Sequence, residues 1–300
     1  MKNKKIFVIG SSNTDMVIKS EKLPAPGETI LGGTFLMNAG GKGANQAVAA
    51  AKLGASVVFV AKVGDDIFGK QAIQDFQKVG INTDYVFTDN ENPSGVALIL
   101  VDAKGENSIA VASGANGNLQ TDEVAQALSI IQEGDIVLLQ LEIPIPTVEF
   151  AIRQCFEKKA TVILNPAPAQ KLDESVYSYI SIITPNETEA ELLTGIKVTD
   201  LLSAEQAANS LHAKGILTVI ITLGSKGAYF HTKEIQQLIP CPVVKAIDST
   251  AAGDVFNGAL AVALSEGQSF ETAITFACKA ASISVTRMGA QASAPFRNEI

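Results

Sequence analysis

The chain has no tryptophan, two histidines (His212 and His231) and three cysteines (Cys155, Cys241 and Cys278) in 300 residues. With so few histidines and no HExxH, metalloprotease chemistry and histidine-based triads have little to work with. There is no GxSxG elbow to present a serine nucleophile. The cysteines are odd in number, widely spaced and without a CxxC pair, which suggests neither a disulfide framework nor a structural zinc site and suits a reducing cytoplasm. Basic residues are outnumbered: 23 Lys plus Arg face 31 Asp plus Glu, a net charge of −8, and no basic run occurs. Nucleic acid is held by clustered Lys and Arg, so it is not an expected partner. No apolar stretch approaches the ~20 residues of a membrane helix. The run Ile6 to Ile9, behind the charged start Met1 to Lys5, is too short for a signal-peptide core, so no membrane partner is expected.

What remains is an apolar fraction of 47% with 18% charged residues, far from the composition of disorder. Short β-branched runs alternate with segments of helical period: Ile6 to Ile9, then helix Lys42 to Leu53, strand Ser56 to Ala61 and helix Ile67 to Val79. Gly54 and Gly80 stand where helix C-caps belong. Later strands are expected at 136–139, 162–164, 180–183 and 219–222. These runs are continuously apolar, as strands covered on both faces of a parallel sheet must be. The expected fold is therefore α/β: a doubly wound, mostly parallel sheet flanked by helices, with ligands at the carboxyl ends of its strands. Gly27 to Met37 and Gly95 to Ala112 break the pattern and read as extended hairpins, the second turning at 102–105. Such an antiparallel insert is either a lid or an edge hairpin. No linker or repeat divides the chain, so one domain, 1–300, is expected.

The strongest local signal is the run Asp248-Ser249-Thr250-Ala251-Ala252-Gly253-Asp254, leading into an apolar helix that ends near Gly267. Unpaired N–H groups at that helix start, from Ala251 to Asp254, suit an anion such as a transferring phosphoryl group. Asp254 beside them either accepts a proton from an attacking hydroxyl or merely complements the helix dipole. Gly40-Gly41-Lys42-Gly43-Ala44-Asn45 resembles a P-loop but fails the Walker pattern, because Gly43 follows the Lys and Leu36 replaces the leading Gly. No GxGxxG follows the first strand, which runs into Gly10-Ser11-Ser12-Asn13-Thr14-Asp15. Asn13 and Asp15 either hydrogen-bond a polyol or favour a turn, and alone the pair leans to the turn. Asn186 to Glu189 forms a capping box at a helix start, or acts through water and Mg²⁺ on nucleotide phosphates. Thr222-Leu223-Gly224-Ser225-Lys226-Gly227 reads as a hairpin turn or as a wall of a nucleotide pocket.

Five segments in order resemble the ribokinase-like carbohydrate kinase family over nearly the whole chain: 13–15, 40–47, Asn165-Pro166-Ala167-Pro168, Thr184-Pro185-Asn186-Glu187-Thr188-Glu189 and 250–254. The resemblance implies transfer of the γ-phosphoryl group of ATP to the 5-hydroxyl of D-ribose. The alternatives are a kinase of the same fold for another sugar or a nucleoside, or a non-catalytic sugar or nucleotide sensor. It implies Asp254 as catalytic base, with Ala251, Ala252 and Gly253 as the anion hole. Sugar would be held by Asn13, Thr14, Asp15, Gly41, Lys42, Gly43, Ala44, Asn45, Glu142 and Asp254. ATP would be bordered by Asn186, Thr222, Leu223, Gly224, Ser225, Lys226, Gly227, Gly253, Asp254 and Cys278. It further implies Mg²⁺ through Glu189 and water, and a monovalent cation, K⁺, at Asp248, Thr250, Ser284, Arg287, Gly289 and Ser293. The extended stretches, about 14–37 and 94–112, become a lid that pairs two subunits in a homodimer. Ser249 and Ala251 stand where the family commonly has Thr and Gly. Cys278 stands where His or Asn lies near adenine; read by itself it is a small buried thiol inside helix Phe270 to Ser284.

Overall fold

Every residue of the first strand, β1 (Ile6–Ile9), is buried, because both faces of this continuously apolar run are covered. Phe7 and Ile9 enter one core and Ile6 and Val8 the other, the period-two alternation of a pleated strand. The computed structural model describes residues 4–300; Met1 to Asn3, which belong to the charged start and to the single-domain expectation, lie outside the described residues.

The elements after β1 are β2 (Asn13–Lys19), β3 (Thr34–Gly40), α1 (Lys42–Lys52), β4 (Val57–Gly64), α2 (Ile67–Lys78), β5 (Asn82–Asp89), β6 (Gly95–Val101) and β7 (Asn107–Ala112). There follow α3 (Thr121–Leu128), β8 (Ile136–Leu139), α4 (Ile145–Glu157), β9 (Thr161–Leu164), β10 (Ile182–Ile183), α5 (Glu187–Thr194), α6 (Leu201–Ala213) and β11 (Thr218–Thr222). The chain closes with β12 (Ala228–His231), β13 (Gln236–Ile239), α7 (Ala252–Ser265) and α8 (Phe270–Ser284).

Nine strands form the main sheet in the order β13-β12-β11-β10-β9-β8-β1-β4-β5, parallel except at β11-β12 and β12-β13. Helices α3, α4 and α6 pack on one face, and α1, α7 and α8 on the other. From β1 the chain first builds outward through β4 and β5, then returns to β1's other side with β8. The β1–β8 junction is thus the switch point, where a crevice opens beyond the carboxyl ends.

The helices expected at 42–53, 67–79 and 270–284 match within a residue at their ends, and Gly54 and Gly80 follow α1 and α2 with φ of 93° and 80°. The strand expected at 180–183 keeps only its last two residues. Ile180 instead closes a 3₁₀ turn by donating its N–H to the Tyr177 carbonyl, 3.1 Å away. The first hairpin needs correction. Its strands are β2 and β3, paired antiparallel from Asn13↔Gly40 to Lys19↔Thr34, whereas Gly27 to Gly33 forms the irregular link, with Gly32 and Gly33 at positive φ. Asn13 and Asp15 therefore lie in a strand and not in a turn. The second hairpin, β6-β7, forms as expected around Asp102, whose carboxylate accepts from the N–H groups of Lys104 and Glu106.

The two hairpins join through β2 and β6 into a separate four-stranded sheet, β3-β2-β6-β7. That pair is parallel, so this sheet is mixed rather than purely antiparallel. Both strands follow directly on the carboxyl end of a main-sheet strand, β1 for β2 and β5 for β6, and so run outward side by side.

Candidate active site

At the switch point, α1 begins where β1 ends. Gly41, at φ 88°, turns the chain into the helix, and a Cβ there would lie 2.7 Å from the Asn13 nitrogen; one on Gly43 would lie 2.6 Å from the Ser11 nitrogen. A Cβ on Gly40 would overlap the Asp15 carboxylate. The glycines thus let α1 sit against the β1–β2 connection. Glu142, just past β8, fills the space at the start of α1: its Oε2 accepts from the Lys42 N–H (2.9 Å) and the Ser11 hydroxyl (2.5 Å). A carboxylate at a helix N-terminus is well placed electrostatically. It also means that this P-loop-like start is occupied by the protein's own anion.

Asp254 lies in the first turn of α7, buried at 6% exposure. Both of its oxygens are held by amides: Asn45 Nδ2 donates to Oδ2 at 2.9 Å and Gln46 Nε2 to Oδ1 at 3.0 Å. Burial pushes its carboxyl above the usual range, and Glu142 adds to the rise, while Lys42 and the two amides work against it. Asp15 is also raised, to about 6, by burial first and then by Glu142 and Asp254. Lys42 is the cation among these groups: burial would lower its pKa, but Asp254, Glu142, Glu189 and Asp15 together raise it. Asp15, Lys42, Glu142, Glu189 and Asp254 are therefore one electrostatic cluster, although they come from five different segments.

Ala251 caps α7 in the left-handed region at φ 58°, a conformation that costs an L-residue about 1–2 kcal/mol. Ala252 gives its N–H to the Ser249 carbonyl at 3.2 Å, so that donor is engaged. The N–H groups of Gly253 and Asp254 remain to face an anion, and a Cβ on Gly253 would meet nothing within 4 Å. Asn257 braces this turn, donating to the Gly253 carbonyl (2.8 Å) and accepting from Thr184 Oγ1 (2.7 Å) at the end of β10.

Several groups were not foreseen. Asn116 Oδ1 accepts from the Ser12 N–H (2.8 Å), and its Nδ2 donates to Asn13 Oδ1 (2.7 Å), fixing the start of β2. Gln46 also donates to Asn165 Oδ1 (3.0 Å) and accepts from Gln140 (2.6 Å). Gln46 and Asn165 stand inside recognised runs, but only the packing shows which side chains turn toward Asp254. A cleft of about 410 Å³ opens beside this network, lined by Asn13, Asn116, Glu142 and, from the small sheet, Val111. Asn45 Oδ1 is buried without a hydrogen-bond partner, an acceptor awaiting a donor.

The residues expected around the nucleotide lie on separate elements. Asn186 and Glu189 form the capping box of α5 with two 2.8 Å bonds, and Asn186 bridges to Thr222. Leu223 to Gly227 is the tight connection between antiparallel β11 and β12, closed by the Leu223 N–H on the Gly227 carbonyl (2.8 Å). Cys278 is 0% exposed within the α8 core, where it packs as a small apolar side chain.

At the expected monovalent-cation site, Asp248 accepts from the Thr250 N–H (2.9 Å), Thr250 Oγ1 (2.6 Å) and the Gly289 N–H (2.9 Å). Burial opposes its ionisation, but these bonds outweigh it and hold the carboxyl low. Arg287 gives its N–H to the Ser284 carbonyl (3.0 Å) and its guanidinium to Glu299, and the bonds of Ser293 stay within its own turn at Ala290. The structure thus gathers Asp248, Thr250 and Gly289 and leaves Ser293 apart in bonding. Among the described residues, no group of three or more His, Cys, Asp or Glu side chains could hold a metal ion.

The sequence profile described as pfkB family carbohydrate kinase matches residues 3–297. The chain is 48% identical to a ribokinase of Haemophilus influenzae, over 99% of this chain and 97% of that protein. It is 40% identical to a deoxyribokinase of Salmonella typhimurium, over 97% and 95%. A solved structure described as Arabidopsis thaliana ribokinase complexed with ribose and ATP superposes with a TM-score of 0.89 at 35% identity, covering 98% of this chain and 96% of that one. The chain belongs to the pfkB family of carbohydrate kinases.

Proposed function

We propose that this kinase transfers the γ-phosphoryl group of ATP to the 5-hydroxyl of D-ribose. The observation that carries the reading is Asp254: a buried carboxylate, held at both oxygens, in the same helical turn as the outward N–H groups of Gly253 and itself. Phosphoryl transfer asks mainly for positioning and charge stabilisation. Asp254 takes the proton of the attacking hydroxyl, and the two N–H groups meet charge that builds on the transferring oxygens. Asp15 and Asn13, on β2, and the unpartnered Asn45 Oδ1 receive the remaining sugar hydroxyls. Asn186, Glu189 and the 222–227 turn border the nucleotide.

The donors fit the implied ions. Glu189 is a single carboxylate with one oxygen on the Asn186 N–H, which suits Mg²⁺ held through water and phosphate. Magnesium bound there supplies charge neutralisation for the nucleotide phosphates. Asp248 offers one carboxylate beside the neutral hydroxyl oxygen of Thr250, hard oxygen ligands suited to a monovalent cation, K⁺ in this reading.

Register supports the lid and the homodimer. Asn13, Asp15 and Val111 share the face of the small sheet that meets the cleft, so Met16, Ile18, Phe35, Met37, Leu98 and Leu100 share the other. Phe35, Met37 and Leu98 are each more than half exposed, an apolar face that a second copy of the chain would cover. Three free cysteines support a cytoplasmic setting, and among the described residues no helix is long and apolar enough to cross a membrane.

The test is ADP release with MgATP and D-ribose, 2-deoxyribose, fructose or adenosine, each in potassium or sodium. Ribose-dependent, potassium-stimulated turnover is expected. The Salmonella relative favours 2-deoxyribose as the second reading, and a higher kcat/KM for it would overturn ribose. Ribose binding without turnover would make the chain a sensor.

A further inference from the structure

The chain leaves β13 at Pro240 and reaches α7 along a strap, residues 241–250, that runs beside α8. Three pins hold it. The Cys241 thiol contacts the Cys278 carbonyl at 3.9 Å, Ser282 Oγ donates to the Pro242 carbonyl at 3.3 Å, and the Ile247 and Asp248 N–H groups reach the Val285 carbonyl at 2.7 and 3.1 Å. Between the pins Val243 is 99% exposed, and beyond the last pin lies the Ala251 turn that starts α7. The first pin also brings two cysteines together, the Cys241 thiol lying against the backbone of Cys278. Cys241 is partly exposed and Cys278 fully buried, so an incoming reagent meets Cys241 first. The third cysteine, Cys155, is buried in α4 on the opposite face of the main sheet.

We propose that Cys241 and Cys278 are an oxidisable thiol pair, a modification site for hydrogen peroxide, whose closure to a disulfide fixes the strap to α8 and weakens nucleotide binding. Cys241 is the attacking sulfur because it alone of the three thiols is partly exposed, whereas Cys155 and Cys278 are buried and burial pushes Cys155 up to about 12. The Cys241 thiolate forms an S–O bond as the peroxide O–O bond breaks, giving a sulfenic acid and hydroxide, which takes a proton to become water. The Cys278 sulfur then attacks the Cys241 sulfur; the S–S bond forms, the S–O bond breaks, and the Cys278 proton leaves with the hydroxyl as a second water. Two electrons pass from the thiols to the peroxide, and a dithiol such as dithiothreitol reverses the change by exchange. Closure draws the Cys278 sulfur out of the α8 core and ties down the segment that delivers Asp248 and the Ala251 turn. The sugar cleft, lined from β2, β7 and the β8 exit, is not touched.

The test treats the whole protein with hydrogen peroxide and reads intact mass, the cross-linked peptide and kinetics. The expected result is a loss of about 2 Da per chain with a Cys241–Cys278 peptide and Cys155 still alkylatable. The KM for ATP rises at least about fivefold, the sugar KM stays constant, and dithiothreitol restores both mass and activity. Cys241→Ser, with Cys241→Ala as a second variant, keeps its basal rate and resists peroxide. Oxygen adducts on Cys241 without a cross-link, inactivation of Cys241→Ser at the wild-type rate, or a cross-link that leaves the ATP KM unchanged would each overturn the proposal. The kinetic arm rests on the kinase reading; the mass arm does not, so the two can fail separately.

Discussion

Gln46 Nε2 lies 3.0 Å from Asp254 Oδ1, and what an ionised carboxylate can accept fixes the direction of every amide behind it. Because Asp254 only accepts, Gln46 must turn its NH₂ toward it and its oxygen toward Gln140. Gln140 must then offer its own NH₂, at 2.6 Å, and is left with a buried Oε1 that has no partner. An unpartnered buried acceptor costs about 1–3 kcal/mol, so the network gives up stability to favour the ionised form of Asp254.

Gln46→Leu removes a hydrogen bond to the charged form of Asp254 and leaves the burial unchanged. Its carboxyl then rises further, and the acid limb of the kcat profile moves to higher pH. A pH–rate series on both proteins, with circular dichroism to confirm the fold, reads this directly. An unmoved acid limb would mean that Gln46 serves packing alone.

Asp254→Asn keeps the shape of the site but cannot accept a proton. The expected loss in kcat is roughly 10²- to 10⁴-fold, the span of general acid–base catalysis, with KM values changed little. Initial rates at saturating ATP and ribose measure it. A rate within a few-fold of wild type would remove Asp254 from the reaction.

If Asp15 holds sugar as proposed, it couples stability to sugar binding. Its folded pKa, about 6 against 3.8, is raised, so its favourable contribution is complete below pH 3.8 and is lost as pH rises through about 6. At neutral pH the ionised group therefore costs on the order of 2–3 kcal/mol. In the proposed reading the same ionised form accepts from sugar hydroxyls. Asp15→Asn should thus raise the urea midpoint at pH 7 while raising the ribose KM, and the wild-type ribose KM should fall as pH rises through about 6. A variant less stable than wild type would contradict the account.

Where sequence and structure agree, one physical signal was strong enough to stand alone. The run Ile6 to Ile9 reads as a doubly covered strand, and Asn186 with Glu189 fits the capping-box pattern that starts α5. Asn13 and Asp15 misled because Asn and Asp favour turns locally, yet pairing with Gly40 and Asn38 of β3 and with Gly95 and Ala97 of β6 overrides that preference. Gln140 and Asn116 carry no signal of their own. Their importance arises only when β8 and the 114–118 turn, each about a hundred residues along from their partners, meet the exit of β1.

The only two histidines make a final, separate prediction. His212 Nδ1 lies 2.7 Å from the Ile216 carbonyl, which can only accept, so Nδ1 carries the proton and Nε2 is an acceptor. His231 Nδ1 therefore donates to it at 2.8 Å, leaving His231 Nε2 bare, buried and unpartnered between α6 and β12. A proton there would be a charge without an acceptor. Burial, and next the charge of His212, lower the His231 pKa; Glu205 on α6 opposes them without prevailing. The folded pKa is thus below 6.5, and the stability His231 contributes is intact above that value and lost as pH falls, because the unfolded chain takes up a proton the fold refuses. Each unit of lowering is worth about 1.4 kcal/mol. Asp15 titrates with the opposite sign in a similar range, so the clean measurement is the difference in urea midpoint between wild type and His231→Phe at pH 7.5, 6 and 5. Wild type should lose ground to the variant with each step down. A difference that stays constant would show that the pair accepts its proton without cost.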